Sequence, residues 1–334
     1  MKRHVYLTML FLLGIGLLSA CGGDRAEWSG EEARPAETVM QSGKLLPEQL
    51  PQALLQGQFE RIHKQMSEEF SKSVTLQDLK ELGQSFHNDI DSYLEPVREL
   101  TNGYEQWIWI DDKNKKGLLA VFDDQSTIHG LLLQPLAPHP ETDGVFTQTA
   151  FAYPFAGEWY TYWGGTNVLY NYHYEHPGQR YAYDFVIVKD GASFAGDPGG
   201  NESYYAFGQD VLAPADGIVA SVVNDIPDNA PGVETNTDQP AGNHIVIDHG
   251  NGEYSILAHF QRNSIRVQVG DKVVQGDVLG LCGNSGNSSE PHIHFQVSDR
   301  PDLAAGQSIR IQWAGNSDLK KGDTAAGHAG NNAS

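Results

Sequence analysis

Glu290-Pro291-His292-Ile293-His294-Phe295-Gln296-Val297 places two imidazoles two positions apart at the start of an apolar, alternating run, directly after the small polar stretch 283–289. In an extended strand, positions i and i+2 project from the same face, so both rings can converge on one point. Neutral imidazole is the commonest protein ligand for a divalent transition metal, and a catalytic zinc takes about three protein ligands and keeps one position open. One His pair is therefore part of a site, and other segments must complete it.

The chain has 334 residues, enough for two packed domains, and its 40% apolar content is ordinary for globular protein. Its beginning reads differently. Lys2 and Arg3, an apolar core over 5–18 and then Leu18-Ser19-Ala20-Cys21 have the three-part layout of an export signal, with a core too short for a comfortable membrane span. A small-residue site ending in Cys resembles the bacterial lipobox, which implies removal of residues 1–20 and a membrane anchor through lipid on Cys21. Removing Lys2 and Arg3 from 22 basic residues leaves 20 against 43 acidic ones, a net charge of −23, and such a balance argues against a nucleic-acid partner. With Cys21 acylated, Cys282 is the one thiol left, which excludes both an internal disulfide and a multi-cysteine zinc site. Cys282 itself reads as a small buried hydrophobe.

Residues 21–45 are Gly-, Glu- and Ala-rich without periodicity and read as a flexible tether. Residues 46–137 read as a small α+β module. Phe59, Ile62, Met66 and Phe70 recur at helical spacing, Thr75-x-x-Asp78 opens a second helix through Leu79, Leu82 and Phe86, and strands are expected over 106–110, 118–122 and 128–133. The pattern is similar to the cystatin-like modules that precede some exported hydrolases. Its His63, His87 and His129 are scattered without ligand spacing and read as ordinary core or surface residues. Residues 138–170 form an aromatic, Gly-rich connection, in which Trp159, Tyr160, Tyr162 and Trp163 could line a carbohydrate or peptide groove but read first as packing. Residues 171–300 are strand after strand: 181–188, 217–223, 244–248, 254–259, 265–267, 272–274, 278–281 and 293–297. Asp248-His249-Gly250-Asn251-Gly252 marks a hairpin, and Val269-Gly270-Asp271 and Gln275-Gly276-Asp277 mark tight turns. Beyond 300, residues 309–313 could add an edge strand, and 315–334 read as a frayed tail.

Five pieces of the second half resemble, in order and spacing, the lysostaphin or LytM-type zinc endopeptidases of peptidoglycan. They are Ala213-Pro214-Ala215-Asp216-Gly217-Ile218-Val219, Gly242-Asn243-His244-Ile245-Val246-Ile247-Asp248-His249-Gly250, Tyr254-Ser255-Ile256-Leu257-Ala258-His259, Gly270-Asp271-x-Val273 and Pro291-His292-x-His294-Phe295. The resemblance covers residues 181–297. It implies an all-β antiparallel sheet with an open groove, so that the whole chain is α+β, and it implies a zinc site. By position, Asp184 and His294 are metal ligands, while His259 and His292 act on the water and the oxyanion. Zinc lowers the pKa of its water toward about 7 and polarises a carbonyl, and the two imidazoles handle the proton and the developing charge.

One position departs from the family pattern. Its first ligand is a His four residues before the Asp, and Arg180 stands there; a guanidinium has no lone pair to offer a metal. His173 and His176 lie just upstream. His173 is the preferred replacement, because His176 precedes Pro177 and is biased to an extended turn. Two functions follow. In one, His173, Asp184 and His294 hold zinc, and a surface-anchored hydrolase cuts peptidoglycan peptides. In the other, the groove has lost its metal and serves as a binding module that recruits or activates other wall hydrolases. Glu290, where relatives often have Gly, adds a charge at the groove rim.

Overall fold

The computed structural model describes residues 43–101, 103–233, 235–315 and 318–328. The export signal over 1–20, the lipid-bearing Cys21, most of the tether and the last six residues of the tail lie outside the described residues. The chain divides into two compact units between Ala137 and Pro138. Among the described residues no helix is long and apolar enough to cross a membrane.

In the first unit, helices α1 (Leu50–Leu55), α2 (Phe59–Lys64), α3 (Glu68–Ser73) and α4 (Leu76–His87) precede an antiparallel meander of β1 (Val97–Thr101), β2 (Tyr104–Ile110), β3 (Lys116–Phe122) and β4 (Ile128–Pro135). The series Phe59, Ile62, Met66 and Phe70 is split between two helices. Met66 leaves the helical path to bridge Ile128, and Ser67 caps α3 by accepting from the Phe70 amide. All four side chains still enter one core with Leu54, Trp107, Trp109, Leu118 and Phe122. Thr75 and Asp78 form the reciprocal capping box read from the sequence. The buried stripe of α4 is Leu79, Gly83 and His87, and Leu82 is exposed. The reason is steric: a Cβ on Gly83 would stand 2.4 Å from the Phe59 ring, so only glycine lets α2 and α4 approach there. Strand β1 escaped the sequence reading because Arg98 and Glu99 interrupt its apolar content.

His63, His87 and His129 are each held by separate partners. His63 bonds Val74 O, and His129 lies 3.1 Å from the Asp123 carboxylate. A ring N–H of His87 donates to Gly83 O at 2.7 Å, and the Tyr93 hydroxyl donates to the other nitrogen at 3.0 Å, an arrangement that needs the neutral ring. Burial accordingly lowers its pKa below the ordinary 6.5, against the pull of the Gly83 carbonyl. With the folded value depressed, the unfolded chain takes up the proton first on acidification. The contribution is present above pH 6.5 and lost as pH falls below it. Denaturant titrations between about pH 7.5 and 5.5 should therefore show a shallower fall in stability for His87→Gln than for the parent; equal slopes would refute this.

The second unit is a large, open, mainly antiparallel sheet. Its strands are β5 (Phe146–Phe151), β6 (Gly157–Trp163), β7 (Tyr183–Val186), β8 (Asp210–Leu212), β9 (Gly217–Val223), β10 (Asn243–Asp248), β11 (Tyr254–Phe260), β12 (Lys272–Val273), β13 (Val278–Leu281), β14 (Ile293–Ser298), β15 (Ser308–Trp313) and β16 (Thr324–Gly327). The main path runs β12-β9-β10-β11-β14-β7-β6-β16, with β15 beside β14 and β5 and with β8 and β13 paired separately. With the helices of the first unit, this makes the chain α+β.

Four stretches differ from the sequence reading. Residues 138–170 are more than a connection, since they supply β5 and β6 to the sheet and Phe151, Phe155 and Trp159 to its core. Residues 265–267 form no strand, although Ile265 and Val267 pack on the core. The tail is structured as far as it is described. β16 pairs with β6, Ala325 and Leu319 are buried, and a Cβ on Gly327 would fall 1.9 Å from Phe155 O. Small residues are what this close approach requires, so the composition that resembles a frayed end belongs to a packed strand. Expected as an edge, β15 instead lies between β14 and the parallel strand β5.

Candidate metal centre

The core decides which way β14 faces. Ile293, Phe295 and Val297 join Phe185 of β7, Leu257 of β11 and Ile245 and Ile247 of β10 in one apolar cluster. Alternation then sends His294 and Gln296 to the opposite face. There β14 is flanked on both sides, with His294 paired to Asp184 of β7 and to Ala258 of β11. Two residues 110 positions apart thus meet as cross-strand neighbours, with His294 Nδ1 2.8 Å from Asp184 Oδ1.

His259 reaches the same place by breaking the strand pattern. Between Leu257 and Phe260, both core residues, β11 spends three positions where β10 spends two, from Asn243 to Ile245. The extra residue is a bulge, and His259 absorbs it with a left-handed φ of 66°. A non-glycine residue in that region costs about 1–2 kcal/mol, the kind of local strain that marks functional sites. Its ring ends with its centroid 4.7 Å from that of His292 and 5.7 Å from that of His294.

His173 comes from a short 3-10 turn, Tyr172–Glu175, capped by Asn171. The ring is 1% exposed, and its Nε2 lies 3.7 Å from Asp184 Oδ2. His292 Nε2 is 3.7 Å from Asp184 Oδ1. His173, Asp184 and His294 can each present one ligand atom such that all lie within 4.8 Å of one another, a cluster suited to a metal ion. Arg180 does not enter it, for its guanidinium lies over the Tyr174 ring at 5.7 Å. His176 is exposed. Of the sequence candidates, His173, Asp184, His259, His292 and His294 converge; Cys21 lies outside the described residues. Cys282 is buried in the core, and burial pushes its thiol pKa far up, as suits an inert side chain.

A ring of hydrogen bonds fixes which nitrogen of each imidazole faces inward. His173 donates Nδ1–H to Asn171 Oδ1 at 2.9 Å, His259 to Ser285 O at 2.7 Å and His292 to Glu290 O at 2.8 Å. Each leaves Nε2 as the nitrogen with a free lone pair, and those of His173 and His292 lie 3.7 Å from Asp184. His294 is reversed: Nε2–H donates to Gln296 Oε1 at 2.9 Å, which leaves Nδ1 for the side that faces Asp184. Gln296 is held in turn through Gly178 O, and Asn171 donates to Arg180 O and Ala182 O. Asn171 and Gln296 were missed in the sequence, yet Gln296 is signalled there: it stands two residues after His294 and so shares its face.

Protonation states agree with this arrangement. Burial lowers His173 to about 3 despite the neighbouring Asp184, so the ring is neutral. Burial alone would raise Asp184, but His173, His292 and His294 around it hold it well below the usual carboxylate range. Burial and the neighbouring imidazoles keep His259 well below 6.5. Burial opposes protonation of His294, but bonding to Asp184 and Gln296 outweighs it and raises the value; a cation can replace the proton shared with Asp184. Two imidazole nitrogens and a carboxylate are a donor set that zinc accepts, and one ligand atom from each lies within 4.8 Å of the other two.

Residues 200–309 match the model of peptidase family M23. The match includes His259, His292 and His294, while Asp184 and His173 precede it and are placed by the fold. Over 85 residues the chain is 39% identical to endolysin 2638A of Staphylococcus phage 2638A, covering 24% of this chain and 18% of that protein. Over 57 residues it is 40% identical to the peptidoglycan DD-endopeptidase ShyA of Vibrio cholerae, covering 17% of this chain and 13% of that one. The chain thus spans less than a fifth of the length of these relatives. Among solved structures, the catalytic domain of lysostaphin from Staphylococcus simulans aligns with 38% of this chain and 73% of its own, at 21% identity and a TM-score of 0.26. Residues 200–309 of the second unit are therefore similar to an M23 metallopeptidase domain.

Outer contacts of this kind are worth about 10–100-fold in metal affinity. Asn171→Ala should weaken zinc binding by about that factor in competition with a chromophoric chelator, and unchanged affinity would show that His173 needs no such support.

Proposed function

We propose that this protein is a zinc-dependent endopeptidase that cuts peptide bonds in the stems or cross-links of peptidoglycan. The observation that carries the reading is His173: it fills the position that Arg180 cannot, beside Asp184 and His294. The competing idea of a groove without metal rested on that gap. The family match of the domain and the name of one relative, a peptidoglycan DD-endopeptidase, support the substrate class. The signal-like residues 1–20 and Cys21 support an extracytoplasmic protein tied to the membrane by lipid.

When bound, zinc supplies a Lewis acid for the scissile carbonyl and a lowered pKa for an attacking water. The chain does the rest. His173, Asp184 and His294 would hold the ion, and His259 and His292, their Nδ1 atoms engaged by backbone carbonyls, keep Nε2 free beside the cluster. One neutral ring can take the proton of the water at Nε2 and return it to the leaving amine. The other, protonated, can donate to the negative charge that grows on the carbonyl oxygen. Backbone carbonyls at Nδ1 keep both rings in the tautomer this requires.

Protein lacking residues 1–20 should carry about one zinc per chain, and His173→Ala and His294→Ala should each lose it. His292→Ala should keep the metal while cleavage of purified peptidoglycan peptides falls by about 10²–10⁴-fold. Removing the ion with a chelator should abolish cleavage, and zinc should restore it. A parent without zinc would return the groove to the binding-module reading. Zinc retained in His173→Ala would mean that a different group completes the site.

A further inference from the structure

Trp163 ends β6 opposite Asp184 of β7, and its indole meets the ring of Tyr172 edge to face, with centroids 5.3 Å apart. The Tyr172 ring in turn lies 3.9 Å from that of His173 at a tilt of 33°. A short aromatic relay thus leads from the sheet to the third ligand. At its other end is Lys321, which is 1% exposed. Its ammonium sits 3.9 Å from the Trp163 ring centroid and 4.5 Å from that of Tyr162, and donates to Tyr162 O at 2.8 Å. Backbone bonds fasten the same segment to the same strand and loop: Lys321 N to Gly164 O, Gly322 N to Thr161 O and Thr161 N to Asp323 O. Leu319 O accepts from the Tyr183 hydroxyl, one residue before Asp184.

A buried ammonium is costly, and an apolar side chain of similar length could fill the space. What the charge adds is orientation, because it draws two ring faces to one point and bonds the backbone between them. We propose that Lys321 is a positioning residue for the metal centre, setting His173 through Trp163 and Tyr172. The C-terminal segment 318–328 is then a clasp on the replacement ligand, and the functional domain extends beyond the family-matched residues on both sides. The inference rests on reading the His173 cluster as a metal site.

The test uses the chain from residue 21 onward, with cobalt(II) as spectroscopic probe and zinc affinity from chelator competition. Lys321→Met should change the visible cobalt spectrum and weaken zinc binding by about 10-fold or more. Lys321→Arg, which keeps the charge, should recover most of both, and Trp163→Leu should reproduce the methionine variant. Thermal unfolding of the metal-free proteins separates this from general damage: the spectral change should appear in variants that still unfold cooperatively. A parental spectrum and affinity in Lys321→Met would overturn the proposal. If that variant does not fold, a parental spectrum in Trp163→Leu overturns it equally. Should the parent bind no metal, the metal-centre reading falls and the clasp with it. If metal is lost in His173→Ala but unaffected in the Lys321 and Trp163 variants, the clasp alone falls.

Discussion

The contact between Asp184 and His294 is what the second unit is arranged around. A carboxylate that is 4% exposed cannot remain ionised without close compensation, and a lone buried charge would be among the costliest features in the fold. The sheet supplies the compensation through register: β7 and β14 pair so that the two residues stand side by side, and their alternate neighbours Phe185, Ile293 and Phe295 lock that register into the core. A slip of one residue would turn the carboxylate toward the apolar face and His294 away from it, so packing of the hydrophobic side enforces the chemistry on the other.

Around this pair, the position of each remaining imidazole depends on an irregularity. His259 needs a bulge and a left-handed backbone, and His173 needs a one-turn 3-10 helix capped by Asn171. His292 sits just before β14 begins. Regular strands can bring two or three side chains to one face but cannot aim four rings from different directions at one point. The irregular segments do that, and they are held by backbone packed on backbone. A Cβ on Gly242 would come 2.4 Å from Ser285 O, and one on Gly286 would come 2.4 Å from Gly242 N. Since Ser285 O is the acceptor for His259, these glycines set the direction of a ring that neither of them touches through a side chain.

Much of this was legible in the sequence, and the exceptions share a cause. The His292-x-His294 pair follows from strand alternation, Asp184 and His259 were named by the order of the motifs that carry the resemblance, and β9 and β13 have the bounds that turn residues imply. His173 could be named as a candidate only because Arg180 lacks a lone pair; nothing local shows that its loop folds back on Asp184. Asn171 is a plain polar residue until its two acceptors and its imidazole partner are seen together. β16 was hidden by its own fitness for the place it occupies, since close packing against β6 and Phe155 selects Ala and Gly and removes the apolar signal by which strands are recognised. Local pattern reports propensity and periodicity. It does not report what a distant segment demands of a residue.

The partners chosen for the ring nitrogens separate binding from reactivity. A carboxylate behind an imidazole raises its basicity and favours the charged form, whereas an amide or carbonyl oxygen fixes the tautomer with a weaker pull. His173, His259 and His292 all give Nδ1–H to neutral oxygens, and His294 gives Nε2–H to the neutral amide of Gln296. Asp184 is thus left facing the cluster, available to a metal ion, and is not used up in orienting a histidine from behind. Burial keeps the inward nitrogens of His173 and His259 unprotonated at neutral pH. That is the state a metal ligand must be in before the ion binds. It is also the state an acid–base imidazole must be in before the water gives up its proton.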